Sequence, residues 1–520
     1  MKSPEEFRNQ VYEKHGVKLA VRKRRMRRAM VCVPLALLIV LSSVFLPRVL
    51  TGIDLPFARA GRIPLMLQVG RPADPTESKF ADDLTSKIDK LEQERQRLLE
   101  EQEEEAARKA VEEMEKEVDD LRAKFKGERE ISPNFSNVVN QFARDSAVLL
   151  SESFKDNACY SPLSMYYALA LTSCGAGGKT KEEFQNILYA EDGWVANECG
   201  KYYRQHYHED ETGTFRLENS LWLDGNFAFG DKFISYAEDD FYSSLFQVDF
   251  SDPDLGNEMT KWVSDQTDGL LSPTFTFQDH QMLYLLNTIL FEAEWNHRFF
   301  PENNTQGEFR KADGTTVTTE FMNQGYAPDG GYYKGDGFVS ASLLLKSGDR
   351  MVFVLPDPGV STEELISDPD LFDEMFLSEP KFEDRSALVS WSIPKFDFTC
   401  GYDMHDTLVG LGLHRAFDQV LADFSDMGKL EMYLSETSQD VRISVNENGV
   451  TAAAYTEMAF DETAIAYTNN TLDMVLDRPF LFAILSKDQT TEDTNSETLL
   501  FVGVCGDPTA SGTGSAAAAS

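Results

Sequence analysis

Basic side chains are scarce in this chain. Lys and Arg number 49 against 87 Asp and Glu, so its 520 residues carry a formal charge of −38. A surface that acidic repels the phosphates of nucleic acid and the sulfates of heparin-like polyanions, so neither is an expected partner. Residues 181–215 hold only three Lys or Arg, too few for a heparin-binding band. Cysteine is sparse as well, at six residues. Cys32 falls in an apolar run, and an odd five remain: Cys159, Cys174, Cys199, Cys400 and Cys505. These make no disulfide framework, and no CxxC or Cys/His spacing suits zinc. Several sit in apolar helix or strand patterns, so buried free thiols are expected. His206 and His208 supply two metal ligands with nothing nearby to complete a site. Signatures of a nucleophile elbow, a phosphate loop or a paired-metal centre are missing too. Neither enzyme chemistry nor a cofactor is expected.

Charge is absent altogether from residues 29–46, AMVCVPLALLIVLSSVFL, a run near the lower limit for crossing a hydrocarbon core. Residues 1–28 before it carry +7 and end in RKRRMRR, which would hold this tail in the cytoplasm and send the rest outside. A single-pass signal anchor in the cell membrane is therefore expected. The alternative is a cleaved signal and a secreted protein, but the A-x-A pattern at Ala58-Arg59-Ala60 lies well beyond the apolar run. Residues 47–77, with several Pro and Gly, read as a linker. Residues 78–126 have no Gly or Pro and show two short apolar seams, Leu84-Ile88-Leu91 and Val111-Met114-Val118-Leu121-Phe125. They predict a charged helical stalk roughly 70 Å long, or a coiled coil pairing two copies. The globular part is expected over 131–508, with −40 of the charge in 131–520, and residues 509–520 read as a disordered tail.

The stretch VNENGVTAAAYTEMAF at 445–460 has the alternation of a strand that buries one face. One register holds Val450, Ala452, Ala454, Thr456, Met458 and Phe460. The other holds Thr451, Ala453, Tyr455, Glu457, Ala459 and Asp461. Alanine is a poor strand former, so three in a row suit a segment that slides between neighbours. Glu447, Gly449 and the alanine run resemble the hinge of the reactive-centre loop of a serpin. Other segments resemble the family in the right order: SPLSMYYALALTSCGAGG at 161–178, NEMTKWVSDQTDGLLS at 257–272 and LLNTILFEAEWNHRF at 285–299, followed by MVFVLPDPG at 351–359. SIPKFDFTCGYDMHDTLVGLGLHRAFD at 392–418, RPFLFAIL at 478–485 and LLFVGVCGDP at 499–508 complete the set.

The resemblance implies an α+β serpin fold, with three β-sheets, about nine helices and an exposed reactive-centre loop. It implies an inhibitor whose loop is cut by a serine protease, or a cysteine protease, that becomes esterified to it. The severed loop then inserts into the central sheet and disables its attacker, so all catalytic groups belong to the target. Glu447, Gly449, Val450, Thr451, Ala452, Ala453 and Ala454 would form the hinge. Ser161, Ser164, Asn287, Trp295 and Gln439 would lie where the sheet opens. Gln439 stands where many relatives have histidine, and Val450 replaces the usual threonine or serine.

Family spacing from Glu447 places the scissile bond at Thr463-Ala464. The span to Pro479 is several residues longer than is common, which leaves Ile465-Ala466 and Tyr467-Thr468 as alternatives. No Lys or Arg occurs between Arg442 and Arg478, so a trypsin-like target finds nothing to grip. Small residues favour an elastase-like enzyme, and Tyr467 leaves a chymotrypsin-like one open. Insertion is favoured by burial of Val450, Met458 and Phe460, about 1.5–3 kcal/mol each. The alternative reading is a non-inhibitory binding or display module on the same fold.

Overall fold

The computed structural model describes residues 66–70, 90, 116, 127, 129–210, 213–224, 229–277, 283–327, 332–377, 388–428, 432–434, 437–450, 471–488, 496–510 and 513–514. The basic tail and apolar run at 1–46 lie outside these residues, as does the helical stalk expected over 78–126 apart from Lys90 and Lys116, which are helical. Among the described residues no helix is long and apolar enough to cross a membrane.

In chain order the elements are β1 (Met66–Gly70), α1 (Pro133–Leu149), β2 (Ala158–Tyr160), α2 (Pro162–Ser173), α3 (Gly178–Leu188), α4 (Asp192–His206), β3 (His208–Asp210), β4 (Gly213–Asp224) and α5 (Asp231–Ser235). Then come β5 (Ser244–Val248), α6 (Leu255–Gln266), β6 (Leu283–Glu294), β7 (Thr305–Arg310), β8 (Thr316–Ala327), β9 (Tyr332–Gly335), β10 (Phe338–Leu344), β11 (Arg350–Pro356), α7 (Thr362–Ser367) and α8 (Pro369–Phe372). The last are β12 (Leu388–Pro394), β13 (Phe396–Asp403), α9 (His405–Leu411), β14 (Ser438–Val445), β15 (Gly449–Val450), β16 (Thr471–Val475), β17 (Phe480–Lys487), β18 (Glu497–Cys505) and β19 (Thr513–Gly514).

The strands form three sheets. The largest runs β1-β5-β4-β6-β15-β14-β13-β19, with β3 on the end of β4. A second runs β2-β18-β17-β11-β10-β9 and a third β16-β12-β8-β7. Strands β17 and β18 read as continuous apolar runs because both their faces are covered. Helix α2 is apolar or small-residued on every side and all twelve of its residues are buried, as a helix at the centre of a large core must be. It starts where Ser161 accepts a bond from the Ser164 amide and Pro162 fills the first turn. Helix α6 lies on the opposite face of the large sheet, over a smaller core of Trp222, Phe246, Leu255, Met259, Val263 and Leu286.

Two expectations are corrected. Part of the expected linker, Met66–Gly70, is strand β1, paired antiparallel with β5. Part of the expected disordered tail, Thr513–Gly514, pairs with Thr399 and Cys400 of β13. Sheet edges carry unpaired N–H and C=O groups, and they recruit extended segments whatever their composition. The five cysteines from Cys159 onward are free and buried. Burial pushes the thiols of Cys159, Cys199, Cys400 and Cys505 up, which makes these four poor nucleophiles.

Candidate functional site

The site is a seam in the large sheet. Strands β6 and β14 run in the same direction, and the described residues show no ladder bond joining them directly. Among the described residues they are bridged by β15 at the top, antiparallel to both. Gly449 pairs with Glu294, and Val450 pairs with Ala293 on one side and Val445 on the other. The turn into β15 closes through Asn446 N to Gly449 O at 3.0 Å and Asn448 N to the Asn446 side chain at 2.9 Å. Gly449 is required here because a Cβ would lie 2.0 Å from the Ala293 carbonyl oxygen. Val450 is 1% exposed and borders a cavity of about 10 Å³ with Ile289, Phe291, Ile443, Ile484 and Phe501. That space holds one water at most.

A strap following α6 covers the seam. Thr267, Leu270 and Leu271 close the cavity from that side. On β4, Arg216 holds Asp268 of the strap at 2.5 Å. On β14, Arg442 reaches the Leu270 carbonyl at 3.5 Å and grips Asp397 with two bonds of 2.9 and 2.8 Å.

The hinge is clasped at the top of the seam. Trp295 donates from its backbone to Asn448 O at 2.8 Å and from its indole to Asn446 O at 2.9 Å. The Glu447 carboxylate takes Lys395 and Asn304, both at 2.5 Å, and Lys395 also meets Glu320 at 3.0 Å. Burial alone would push Glu447 up, but the bonds from Lys395 and Asn304 outweigh it and hold the carboxyl below the usual range. Partial burial lowers Lys395 in turn, and its two carboxylates more than reverse that. Lys395 and Asn304 were missed by sequence reasoning. Lys395 stands inside the family-like SIPKFDF segment, which was the available signal; Asn304 offered none.

Four of the five residues expected at the opening come together at the base of the seam. Gln439 accepts from Ser161 N and donates to Ser161 O, each at 2.9 Å, so its amide is spent on one backbone residue. The Ser161 hydroxyl donates to Leu500 O at 2.8 Å. Asn287 accepts from the Ser164 hydroxyl and donates to Asn219 at 2.6 Å. Thus β6 and β14 are each tied down to the α2 end, and among the described residues no ladder bond joins one directly to the other. Between them lies a cavity of about 20 Å³ bordered by Ser164, Asn287, Thr437 and Gln439, where the Thr437 hydroxyl has no hydrogen-bond partner. Trp295, the fifth residue, sits at the opposite end with the hinge. Thr451, Ala452, Ala453 and Ala454, and the bonds at Thr463-Ala464, Ile465-Ala466 and Tyr467-Thr468, lie outside the described residues.

Among the described residues no cluster of His, Cys, Asp and Glu is placed to hold a metal ion. His206 faces Asp488 at 3.2 Å and contacts Tyr202 O at 3.0 Å, while His208 contacts His206 O at 2.7 Å. The arrangement as a whole can admit a strand.

Comparison with known proteins agrees. The family described as serpin (serine protease inhibitor) matches residues 137–508. An uncharacterised serpin-like protein of Thermococcus kodakarensis is 27% identical over 381 residues, 71% of this chain and 84% of that protein. Serpin B11 of Homo sapiens is 25% identical over 387 residues, 69% of this chain and 95% of its own length. The crystal structure of the thermophilic serpin tengpin in its native state matches with a TM-score of 0.62 at 27% identity, over 71% of this chain and 94% of tengpin. Serpins are in general protease inhibitors rather than enzymes. Seam, hinge and motif order concur with the family match: this chain belongs to the serpin family.

Proposed function

We propose that this serpin is an inhibitor that traps a serine protease, elastase-like in preference, as a covalent acyl-enzyme. The protease's serine attacks the Thr463 carbonyl, the bond to Ala464 breaks, and the new amine takes its proton from the protease's own acid. The cut loop then enters the seam between β6 and β14 and carries the esterified protease with it.

One observation carries this reading: Gly449 and Val450 already occupy the first two places of a strand between β6 and β14. Steps of two down both neighbours extend the register. Ala452 would lie between Phe291 and Ile443, and Ala454 between Ile289 and Val441. Thr456 would lie between Asn287 and Gln439. Small side chains thus meet the bulky neighbours, and the only hydroxyl in this register falls between the two polar side chains of the base, Asn287 and Gln439, while Thr437 falls opposite Met458. Met458 and Phe460 follow toward Leu285 and Leu283. Tyr455 falls in the other register, toward α6. A loop without Lys or Arg and with small residues at Thr463-Ala464 supports an elastase-like target. The uncharged run at 29–46 behind a +7 tail supports a membrane anchor with the serpin domain outside the cell.

The test is incubation with an elastase-like protease. The expected result is a detergent-resistant species larger by one protease, a cut mapped by mass spectrometry to Thr463-Ala464, and a higher melting temperature after cleavage. A cleaved molecule that melts no higher and a protease released active would sink the inhibitor reading and favour the display module.

A further inference from the structure

We propose that Met66–Gly70 guards the β5 edge of the large sheet against pairing with a second copy of this chain. Strand β5 pairs with β4 on one side only, so its other side would be a free edge. There β1 lies antiparallel, with Met66 opposite Val248, Leu67 opposite Gln247, Gln68 opposite Phe246 and Gly70 opposite Leu245. The sequence of β5, SLFQV, has no charge and no proline, so nothing in it discourages another strand from docking.

Strand β1 makes a safer outer edge. Its register shifts between Gln68 and Gly70, and such a bulge spoils the regular spacing that a further strand needs. Arg62 and Pro64 precede it and Arg71 and Pro72 follow it, the residue types that stop strand addition. At the far side of the same sheet, Thr399 and Cys400 of β13 pair with Thr513–Gly514. Each outer edge of the large sheet is therefore paired, fully or in part, by a segment from beyond residues 131–508. On the membrane-anchor reading proposed above, the docked strand also leaves only residues 47–65 between the anchor and the body. If β1 is displaced, the vacated β5 edge becomes an acceptor for an extended segment of another copy.

The test uses the full chain with Leu67→Pro and Gln68→Pro together. In an antiparallel pair adjacent residues alternate in direction, so one of these two amides faces β5 and the pair of substitutions removes it. Thermal unfolding should match the parent protein, since the core is untouched. Amide exchange at Leu245–Val248 should quicken roughly three- to tenfold, the factor set by losing one ordinary hydrogen bond. Light scattering should show concentration-dependent dimers and larger species, returned to monomer by excess peptide spanning 64–72. Unchanged exchange at Leu245–Val248, a variant that stays monomeric at every concentration, or association that persists under excess peptide each overturns the assignment. None of these outcomes depends on whether a protease is trapped.

Discussion

Replacing Ala454 by Glu tests the proposed insertion at its most sensitive point. The register continued from the Val450–Ala293 and Val450–Val445 pairs puts residue 454 between Ile289 and Val441, on the side of the main core. Nearby, Arg442 is already committed to Asp397. A carboxylate there would be stripped of water without a partner, at about 3–5 kcal/mol. Ladder bonds return only about 2 kcal/mol for that residue, so the step becomes uphill. Insertion should slow by about 100-fold or more, because each 1.4 kcal/mol is about a factor of ten. The protease then has time to hydrolyse its ester, and the protein is consumed as substrate. Melting of the uncut protein should not change, because the seam below Val450 holds no strand among the described residues. The assay titrates protease with inhibitor and counts molecules consumed per enzyme inactivated, alongside the melting gain on cleavage. Ala453→Glu is the control. One residue earlier, the side chain points toward α6, and inhibition should stay near the parent value. If both variants inhibit alike, or both fail alike, the register is wrong and the seam is not where the loop goes.

Gly449→Ala should expel the hinge, because its Cβ would overlap the Ala293 carbonyl; Trp295 fluorescence and amide exchange at Ala293 and Glu294 should both change, and an unaltered spectrum refutes the tight fit. Lys395→Met leaves Glu447 and Glu320 without their cation and should cost about 1–3 kcal/mol in urea unfolding. The same clasp has a pH signature. Glu447 has a folded pKa below its ordinary 4.5, so its contribution is complete above 4.5 and fades as pH falls through the lowered folded value. Acid unfolding of Glu447→Gln should therefore be shallower in that window than that of the parent. Thr463→Arg should turn inhibition toward a trypsin-like protease, and no shift would place the scissile bond at Ile465-Ala466 or Tyr467-Thr468.

Much of the fold was legible because its signals are local. The segments at 161–178, 478–485 and 499–508 were legible as family-like motifs, and in the structure they hold the buried helix α2 and the strands β17 and β18. Gly449 was legible as a hinge residue, though its reason was not: the Ala293 carbonyl that excludes a side chain is far away in sequence. Lys395 and Asn304 were illegible as a clasp, since each lies more than fifty residues from Glu447 and carries no periodic signal. Strand β1 was misread as linker because pairing at an open edge depends on backbone groups, not on side-chain pattern. Trp295 was grouped with Ser161, Ser164, Asn287 and Gln439, yet it stands at the other end of the same strand, eight residues of extended chain from Asn287.

By itself the order of side chains determined the family-like order of motifs and that 445–460 has the alternation of a strand with one uncharged face. Periodicity and capping act over a few residues, so they can be read directly. The tertiary structure alone decided that β6 and β14 lack a shared ladder, that Glu447 is held by Lys395, and that Gln439 spends its amide on Ser161. Each of these depends on which distant groups compete for the same hydrogen bonds, and that competition is resolved only when the chain is packed.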